Sequence, residues 1–512
     1  MPDVSPRAAL AFDLGLAAHR QGDFATALAR FSEAYEAAPD WPDAGTALAH
    51  THERLGEIDA AYRIGFACAR LGAPSETLIT VLTGLLDNYP PPNWLTAEDF
   101  APVLKIAGRD TRLFARAALS ALVREPPLRD ALTIAQAQGF AAAADWALSP
   151  AGRALIENET LLRALRAGPN SEPALELLLT AIWQRVNDDP ALATLAVTLA
   201  AQCALNEYVW APQADRHAAT SIGFNDPTSR AVARQYEDHP YPAWRHVDLP
   251  PAGSQRAQLR SLQRKHGLAE TPEHPRVLIA GCGTGQQVVQ MATTLGPHAR
   301  IVACDLSAAS LAYAQRKATE HGIDGVEFRQ ADILDLATWT ERFDIVACTG
   351  VLHHMQDPRR GWRILTDLTL PGGAQYIALY SALARTGLDD IRRRFPPDAS
   401  LPIDARIRDF RRRVLQAHAF DWQASGLTWT DFFTMGGCRD LLFHAHEDRY
   451  TIARLAEDLN VLGLQFLDFN LPSSAARDFA DARDDLTAWD TYERAHPNTF
   501  TRMYQFWCAK PA

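Results

Sequence analysis

Five short apolar runs between Arg276 and Tyr380 constrain this chain more than any other feature. They are Arg276–Ala280, Ile301–Cys304, Val326–Phe328, Phe343–Cys348 and Gln375–Tyr380, and helical patterns separate them. Strands alternating with helices predict parallel βαβ units and a doubly wound sheet. The first run leads into Gly281, the second into Asp305, the third towards Asp332 and the fourth towards Gly350. Ligands of such sheets lie beyond the carboxyl ends of the strands. These four residues therefore mark one edge of the sheet as the candidate site.

The loop after the first run reads Gly281-Cys282-Gly283-Thr284-Gly285-Gln286. Glycines let a backbone approach a ligand with no Cβ between them. Asp305 suits the two hydroxyls of a ribose and Asp332 suits an adenine amino group, so the pattern describes an adenosine pocket. NAD is the obvious competitor. Its fingerprint is G-x-G-x-x-G, and here Gln286 stands at the third glycine position.

These residues resemble the class I S-adenosylmethionine-dependent methyltransferases, strongly over roughly residues 230–382. Gly281-Cys282-Gly283-Thr284-Gly285 is similar to the family's first motif, Asp305-Leu306 to its ribose-binding position and Asp332-Ile333 to its adenine-contacting pair. Gly350-Val351-Leu352-His353-His354 resembles the fourth motif, and Pro371-Gly372-Gly373 the turn before the fifth strand. The resemblance implies a Rossmann-like seven-stranded domain over 226–512. It implies S-adenosylmethionine bound by Gly281, Cys282, Gly283, Gly285, Gln286, Asp305, Leu306, Asp332, Ile333 and Gly350, and no metal. One position departs: the family often has an acid two residues before the first glycine, where this chain has Ile279. Binding is then expected to rest on Asp305, Asp332 and the loop backbone.

The segment 229–244, with Gln235-Tyr236 and Pro240-Tyr241-Pro242, is similar to one that precedes the cofactor domain in bacterial methyltransferases with tetratricopeptide segments. Its prolines stiffen an extended stretch, as a lid or a plain linker would need. His353, His354, Tyr236 and Tyr241 are the candidate bases or orienters for the proton a nucleophile must lose. Beyond Tyr380, residues 385–413 hold nine Arg and five Asp. They open an expected helical cap over about 384–460, inserted before strands at Leu464–Phe469 and Met503–Lys510.

The first part of the chain reads as a repeat. Gly22 to Gly56 is 34 residues, and so is Ala27 to Ala61. That is the tetratricopeptide period. Residues 8–75 are expected to form two such helical hairpins and 76–225 a further helical scaffold. The apolar stretch Ala191–Leu205 is shorter than the roughly 20 residues of a membrane-spanning helix.

Fifty basic against 61 acidic side chains give a net charge of −11, which argues against general nucleic-acid binding. Seven cysteines without a CxxC pair and an N-terminus interrupted by Asp3, Arg7 and Asp13 suggest a cytoplasmic setting. The leading expectation is methyl transfer to an O or N nucleophile on a protein or peptide docked by the N-terminal arm. The alternatives are a small-molecule methyltransferase whose helical region serves oligomerisation, and a non-catalytic adaptor with a degenerate methyltransferase domain.

Overall fold

A computed structural model describes residues 4–106, 108–168, 170–186, 224–242, 244, 246–247, 249–421, 430–471, 484–497, 499–500 and 503–512. The stretch Ala191–Leu205 lies outside the described residues. The chain separates into two compact units, Met1–Tyr208 with Arg412–Ala424, and Val209–Arg411 with Ser425–Ala512. No helix of the described residues is long and apolar enough to cross a membrane.

In the first unit, helices Pro6–Arg20 and Phe24–Ala37 form one hairpin and Pro42–Arg54 and Ile58–Arg70 a second. Gly22 and Gly56 turn the chain at φ +78° and +79°, a conformation glycine adopts without a Cβ penalty. Asp23 caps the second helix by accepting from the Thr26 N–H at 3.0 Å. Close approach explains the small residues: a Cβ on Gly15 would lie 2.6 Å from the Phe31 ring. The second hairpin shares its core with the helices that follow, from Phe66 and Leu82 through Phe100 and Leu119 to Leu178. Part of the expected cap, Arg412–Ala424, clusters with this unit, where the Phe420 ring stacks on Phe140 at 5.9 Å.

The second unit is built on a seven-stranded sheet in the order β3-β2-β1-β4-β5-β7-β6. The strands are β1 Arg276–Ala280, β2 Arg300–Asp305, β3 Val326–Gln330, β4 Phe343–Thr349, β5 Thr369–Tyr380, β6 Gln465–Phe469 and β7 Met503–Ala509. The first five are parallel to one another, and β7 runs antiparallel to β5 and β6. Val277, Leu278, Ile279 and Ala280 in β1 are all fully buried. A central parallel strand is covered on both faces, so its sequence is a continuous apolar run rather than an alternating one.

One boundary differs from expectation. The fifth strand starts at Thr369 and runs through Pro371-Gly372-Gly373 instead of beginning after it. The end of β7 explains this, because Gly372 N–H donates to the Lys510 carbonyl at 2.8 Å and Lys510 N–H to the Gly373 carbonyl at 2.9 Å. The chain order reverses at β1, and β1 and β4 lie side by side with Ile279 opposite Ala347. That switch point is where open α/β sheets hold ligands.

Candidate active site

The glycine loop leaves β1 with Gly281 at φ +76°, Gly283 at +53° and Gly285 at +84°. A Cβ on Gly281 would lie 2.2 Å from Val351 Cγ2, and one on Gly283 would lie 2.6 Å from the Tyr241 carbonyl oxygen. The end of β2 holds the loop. The N–H groups of Gly281 and Cys282 both donate to the Cys304 carbonyl, at 2.8 and 2.9 Å. The Gly283 N–H donates to Asp305 Oδ2 at 2.8 Å, and the Ser307 N–H to Asp305 Oδ1 at 2.8 Å. Each carboxylate oxygen keeps a further acceptor position, so Asp305 can hold the loop and face ribose hydroxyls together. Burial raises its carboxyl above the usual range, opposed by those same backbone donors.

Ile279 is the penultimate residue of β1. It is fully buried and packs with Val277, Val288, Met291, Ala303 and Ala347.

Asp332 is 4 % exposed. It accepts from the Leu334 N–H at 2.9 Å. Burial raises its carboxyl, and the Ser229 hydroxyl opposes the shift. Ile333 beside it is buried. Leu306 accepts at its carbonyl from the Gln330 side chain at 2.8 Å, and Gly350 N–H donates to Ala378 at 3.2 Å. Gln286 begins the helix Gln286–Leu295, and Cys282 is buried.

The segment from Tyr236 to Trp244 is strapped over this loop. Tyr241 O accepts from the Thr284 N–H at 3.3 Å, and the Thr284 hydroxyl donates to the Pro242 carbonyl at 2.6 Å. The Trp244 indole N–H donates back to Thr284 Oγ1 at 3.1 Å. Upstream, the Ser307 hydroxyl donates to the Tyr236 carbonyl at 3.1 Å. The Glu237 carboxylate sits at the N-terminus of the helix Ala308–Glu320 and accepts from Ala308 N–H, a placement the helix dipole favours. The strap helix Pro227–Asp238 is also tied to the cap. Gln235 accepts from the Ala445 N–H at 2.9 Å, and Arg439 reaches His239 Nδ1 at 2.7 Å.

Four candidates for handling a proton divide here. Tyr236, His353 and His354 fall in one buried cluster, whereas Tyr241 meets the glycine loop through its backbone carbonyl. The Tyr236 hydroxyl donates to Asp440 at 2.7 Å and lies 3.1 Å from His444 Nε2. The Tyr380 hydroxyl donates to the other oxygen of Asp440 at 3.0 Å. The His353 ring stands 3.9 Å from the Tyr380 ring and 4.3 Å from His354, and His354 stacks on His444 at 3.5 Å. His353 Nδ1 accepts from the Tyr380 N–H at 3.3 Å. Burial drives the basicity of His353 far down and pushes His354 and His444 down to about 3. These imidazoles are neutral at ordinary pH and suit orienting a group better than storing its proton. Burial and the neighbouring Asp440 charge raise Tyr236 and Tyr380.

Sequence reasoning missed Asp440, His444 and Tyr380 as members of the site. The available signal was a polar pair, Asp440 and His444, four residues apart in the apolar run Asp440-Leu441-Leu442-Phe443-His444. Asp440 is 3 % exposed, and acids are seldom so buried unless paired.

Residues 273–400 match the family described as "Methyltransferase domain". An uncharacterized protein of Synechococcus sp. is 36% identical over 163 residues, which cover 31% of this chain and 39% of that one. The ubiquinone biosynthesis O-methyltransferase of Pseudomonas syringae is 36% identical over 104 residues, 20% of this chain and 43% of the relative. The tRNA 5-carboxymethoxyuridine methyltransferase of Escherichia coli is 28% identical over 201 residues, 37% of this chain and 74% of the relative. The chain thus spans 39% and 43% of the first two relatives' lengths. The glycine loop and the strand-end acids thus lie within residues 273–400, the span that matches a methyltransferase domain.

Proposed function

We propose that this chain transfers a methyl group from S-adenosylmethionine to an O or N nucleophile, on a protein or peptide that the N-terminal helical region docks. The observation that carries the reading is the bare glycine backbone at Gly281–Gly285, held by Asp305 and covered by the Tyr241-Pro242 strap. Residues Gly281, Cys282, Gly283, Gly285, Gln286 and Gly350 would line the methionine end. Asp305 and Leu306 would meet the ribose, and Asp332 and Ile333 the adenine. When bound, the cofactor supplies a methyl group already activated on a sulfonium.

The chain's own residues then orient and enclose. The strap excludes water, and alignment of the reacting groups supplies much of the rate. Tyr236, Tyr241, His353 and His354 border the acceptor and guide its proton. The enclosed cluster, with His353 fully buried and His354 4 % exposed, suits a narrow group such as a side chain or a small molecule. The charge of −11 speaks against a nucleic acid like that of the tRNA-modifying relative. A cytosolic setting with reduced thiols fits the sparse, unpaired cysteines among the described residues.

Calorimetry with the full chain tests this. S-adenosylmethionine and its demethylated product should bind, more tightly than NAD. Tighter NAD binding, or unchanged affinity in the double variant Asp305→Ala, Asp332→Ala, refutes the reading. Mass spectrometry of cell extracts incubated with labelled cofactor, with and without the protein, identifies the acceptor.

A further inference from the structure

The nature of the nucleophile can be read from the corner around Asp440, and this inference rests on the methyl-transfer reading above. Asp440 is 3 % exposed, on the helix Met435–Leu442. Its oxygens accept from the hydroxyls of Tyr236 and Tyr380. Among the described residues, no Lys or Arg pairs with it. Arg385 lies over the Tyr380 ring at 3.8 Å, but its guanidinium is bound to Glu447. A carboxylate removed from water without a cation is costly. An ionised carboxylate offers about four acceptor positions, and the two phenols fill two of them.

Rings surround this charge. Tyr236 and His444 stand 5.7 Å apart, His353 and Tyr380 3.9 Å, and His353 and His354 4.3 Å. His354 Nδ1 lies 2.8 Å from the His446 carbonyl. A carbonyl only accepts, so Nδ1 carries the hydrogen and Nε2 holds the lone pair. That Nε2 is buried and has no hydrogen-bond partner among the described residues. A nitrogen of His354 and an oxygen of Asp440 lie within 4.8 Å of each other.

We propose that the corner formed by Asp440, Tyr236, Tyr380 and His354 receives the amino group of the methyl acceptor as an ammonium ion, so the substrate is a primary amine. Asp440 supplies the counter-charge, the aromatic faces attract the cation, and His354 Nε2 accepts one of its N–H bonds. Before transfer the ammonium gives one proton to Asp440. The nitrogen lone pair then forms the new N–C bond while the S–C bond breaks with its electron pair left on sulfur. An open charged cleft of about 410 Å³, lined by His444, Arg392, Glu447, Asp448 and Arg449, meets the corner at His444, whose ring stacks on His354. Its charges of both signs suit the polar backbone of an amine-bearing chain.

The same groups suit an amine better than a metal ion. The His354 and His444 rings stack with 16° between their planes, so their in-plane lone pairs run side by side. Ligands of one ion must converge on it at about 2.0–2.1 Å. His444 Nδ1 also accepts from the His446 N–H at 3.1 Å, which leaves its Nε2–H to donate to the Tyr236 oxygen.

The test is calorimetry on the full-length protein saturated with S-adenosylhomocysteine. The probes are Nα-acetyl-lysine methylamide against its norleucine counterpart, and n-butylamine against n-butanol. Both amines should bind at least tenfold more tightly than their neutral partners, and the stronger amine tells a peptide acceptor from a free one. Asp440→Asn should weaken amine binding at least tenfold with unchanged S-adenosylhomocysteine affinity. The wild-type preference for amines needs no variant, so a poorly folded Asp440→Asn leaves the test intact. Equal binding of amine and alcohol overturns the proposal, as does stoichiometric zinc binding that Asp440→Asn abolishes. Failure of S-adenosylhomocysteine to bind counts against the methyl-transfer reading alone, and the amine titration of the unloaded protein then still decides the nature of the corner.

Discussion

Gly283→Ala separates two roles of the glycine loop, its backbone conformation and its contact with the strap. Gly283 has φ +53°, and a Cβ there would stand 2.6 Å from the Tyr241 carbonyl oxygen. Gly267 also has positive φ, +66°, but nothing lies within 4 Å of its Cβ position. Alanine at Gly267 therefore incurs only the left-handed penalty, about 1–2 kcal/mol. At Gly283 the same penalty applies, and the strap must also retreat by roughly 0.8 Å to reach ordinary contact. That retreat strains the Thr284 N–H bond to Tyr241 at 3.3 Å and the Thr284 hydroxyl bond to Pro242 at 2.6 Å. Two such bonds at about 1 kcal/mol each give about 2 kcal/mol against closure, or about 30-fold in affinity. Calorimetry with S-adenosylhomocysteine reads that loss, and limited proteolysis near Tyr241 reads the open strap. Gly267→Ala should leave both unchanged. If Gly283→Ala binds like the wild type and its strap stays protected, the strap does not close over the cofactor loop and the reasoning fails.

Asp305→Ala should weaken cofactor binding by on the order of 1–3 kcal/mol for each ribose hydroxyl deprived of its acceptor, read by calorimetry, and it also leaves two backbone N–H groups without their carboxylate. Ile279→Asp should lower stability by more than about 3 kcal/mol, because it places a charge in a fully buried apolar cluster; a thermal unfolding temperature equal to wild type would contradict the packing argument. An unfolded histidine takes a proton near pH 6.5, whereas folded His354 and His444 do so only near 3. The unfolded state then binds more protons below pH 6.5, so their stabilising contribution is complete above that pH and is lost as pH falls towards 3. From pH 7.5 to 5.5 the loss is about 1.4 kcal/mol per histidine, and the double variant His354→Gln, His444→Gln should flatten the pH dependence of unfolding by about 3 kcal/mol. Replacing His353 should lower turnover while leaving cofactor affinity nearly intact, and a parallel fall in both would move His353 to the cofactor.

What the sequence by itself determined was everything carried by short-range pattern. The runs Arg276–Ala280 and Phe343–Cys348, set between helical patterns, read as buried strands. The spacing of Gly281, Gly283 and Gly285 argued against a dinucleotide turn, and Asp305 and Asp332 stood at or just past strand ends, on the edge where a parallel sheet binds ligands. The 34-residue interval from Gly22 to Gly56 placed two turns between helices. Each of these readings needs only pattern along the chain, within one element, one βα unit or one repeat.

The tertiary structure decided what depends on distant segments. Tyr236 meets Asp440 across 204 residues, and Tyr380 meets it across 60. No periodicity links a strap before the sheet to a cap inserted after its fifth strand. The same holds for Ile279, which stands where the family often has an acid: it is a core residue, and the loop after it is held by the Cys304 carbonyl and Asp305 on the neighbouring strand. It holds too for Pro371-Gly372-Gly373, drawn into β5 by pairing with the far end of the chain at Lys510. Local pattern sets which face of an element is apolar. Which polar side chains those apolar faces bury together is fixed only when the elements pack, and in this protein that packing brings Tyr236, Tyr380, His353, His354 and His444 around the one carboxylate of Asp440.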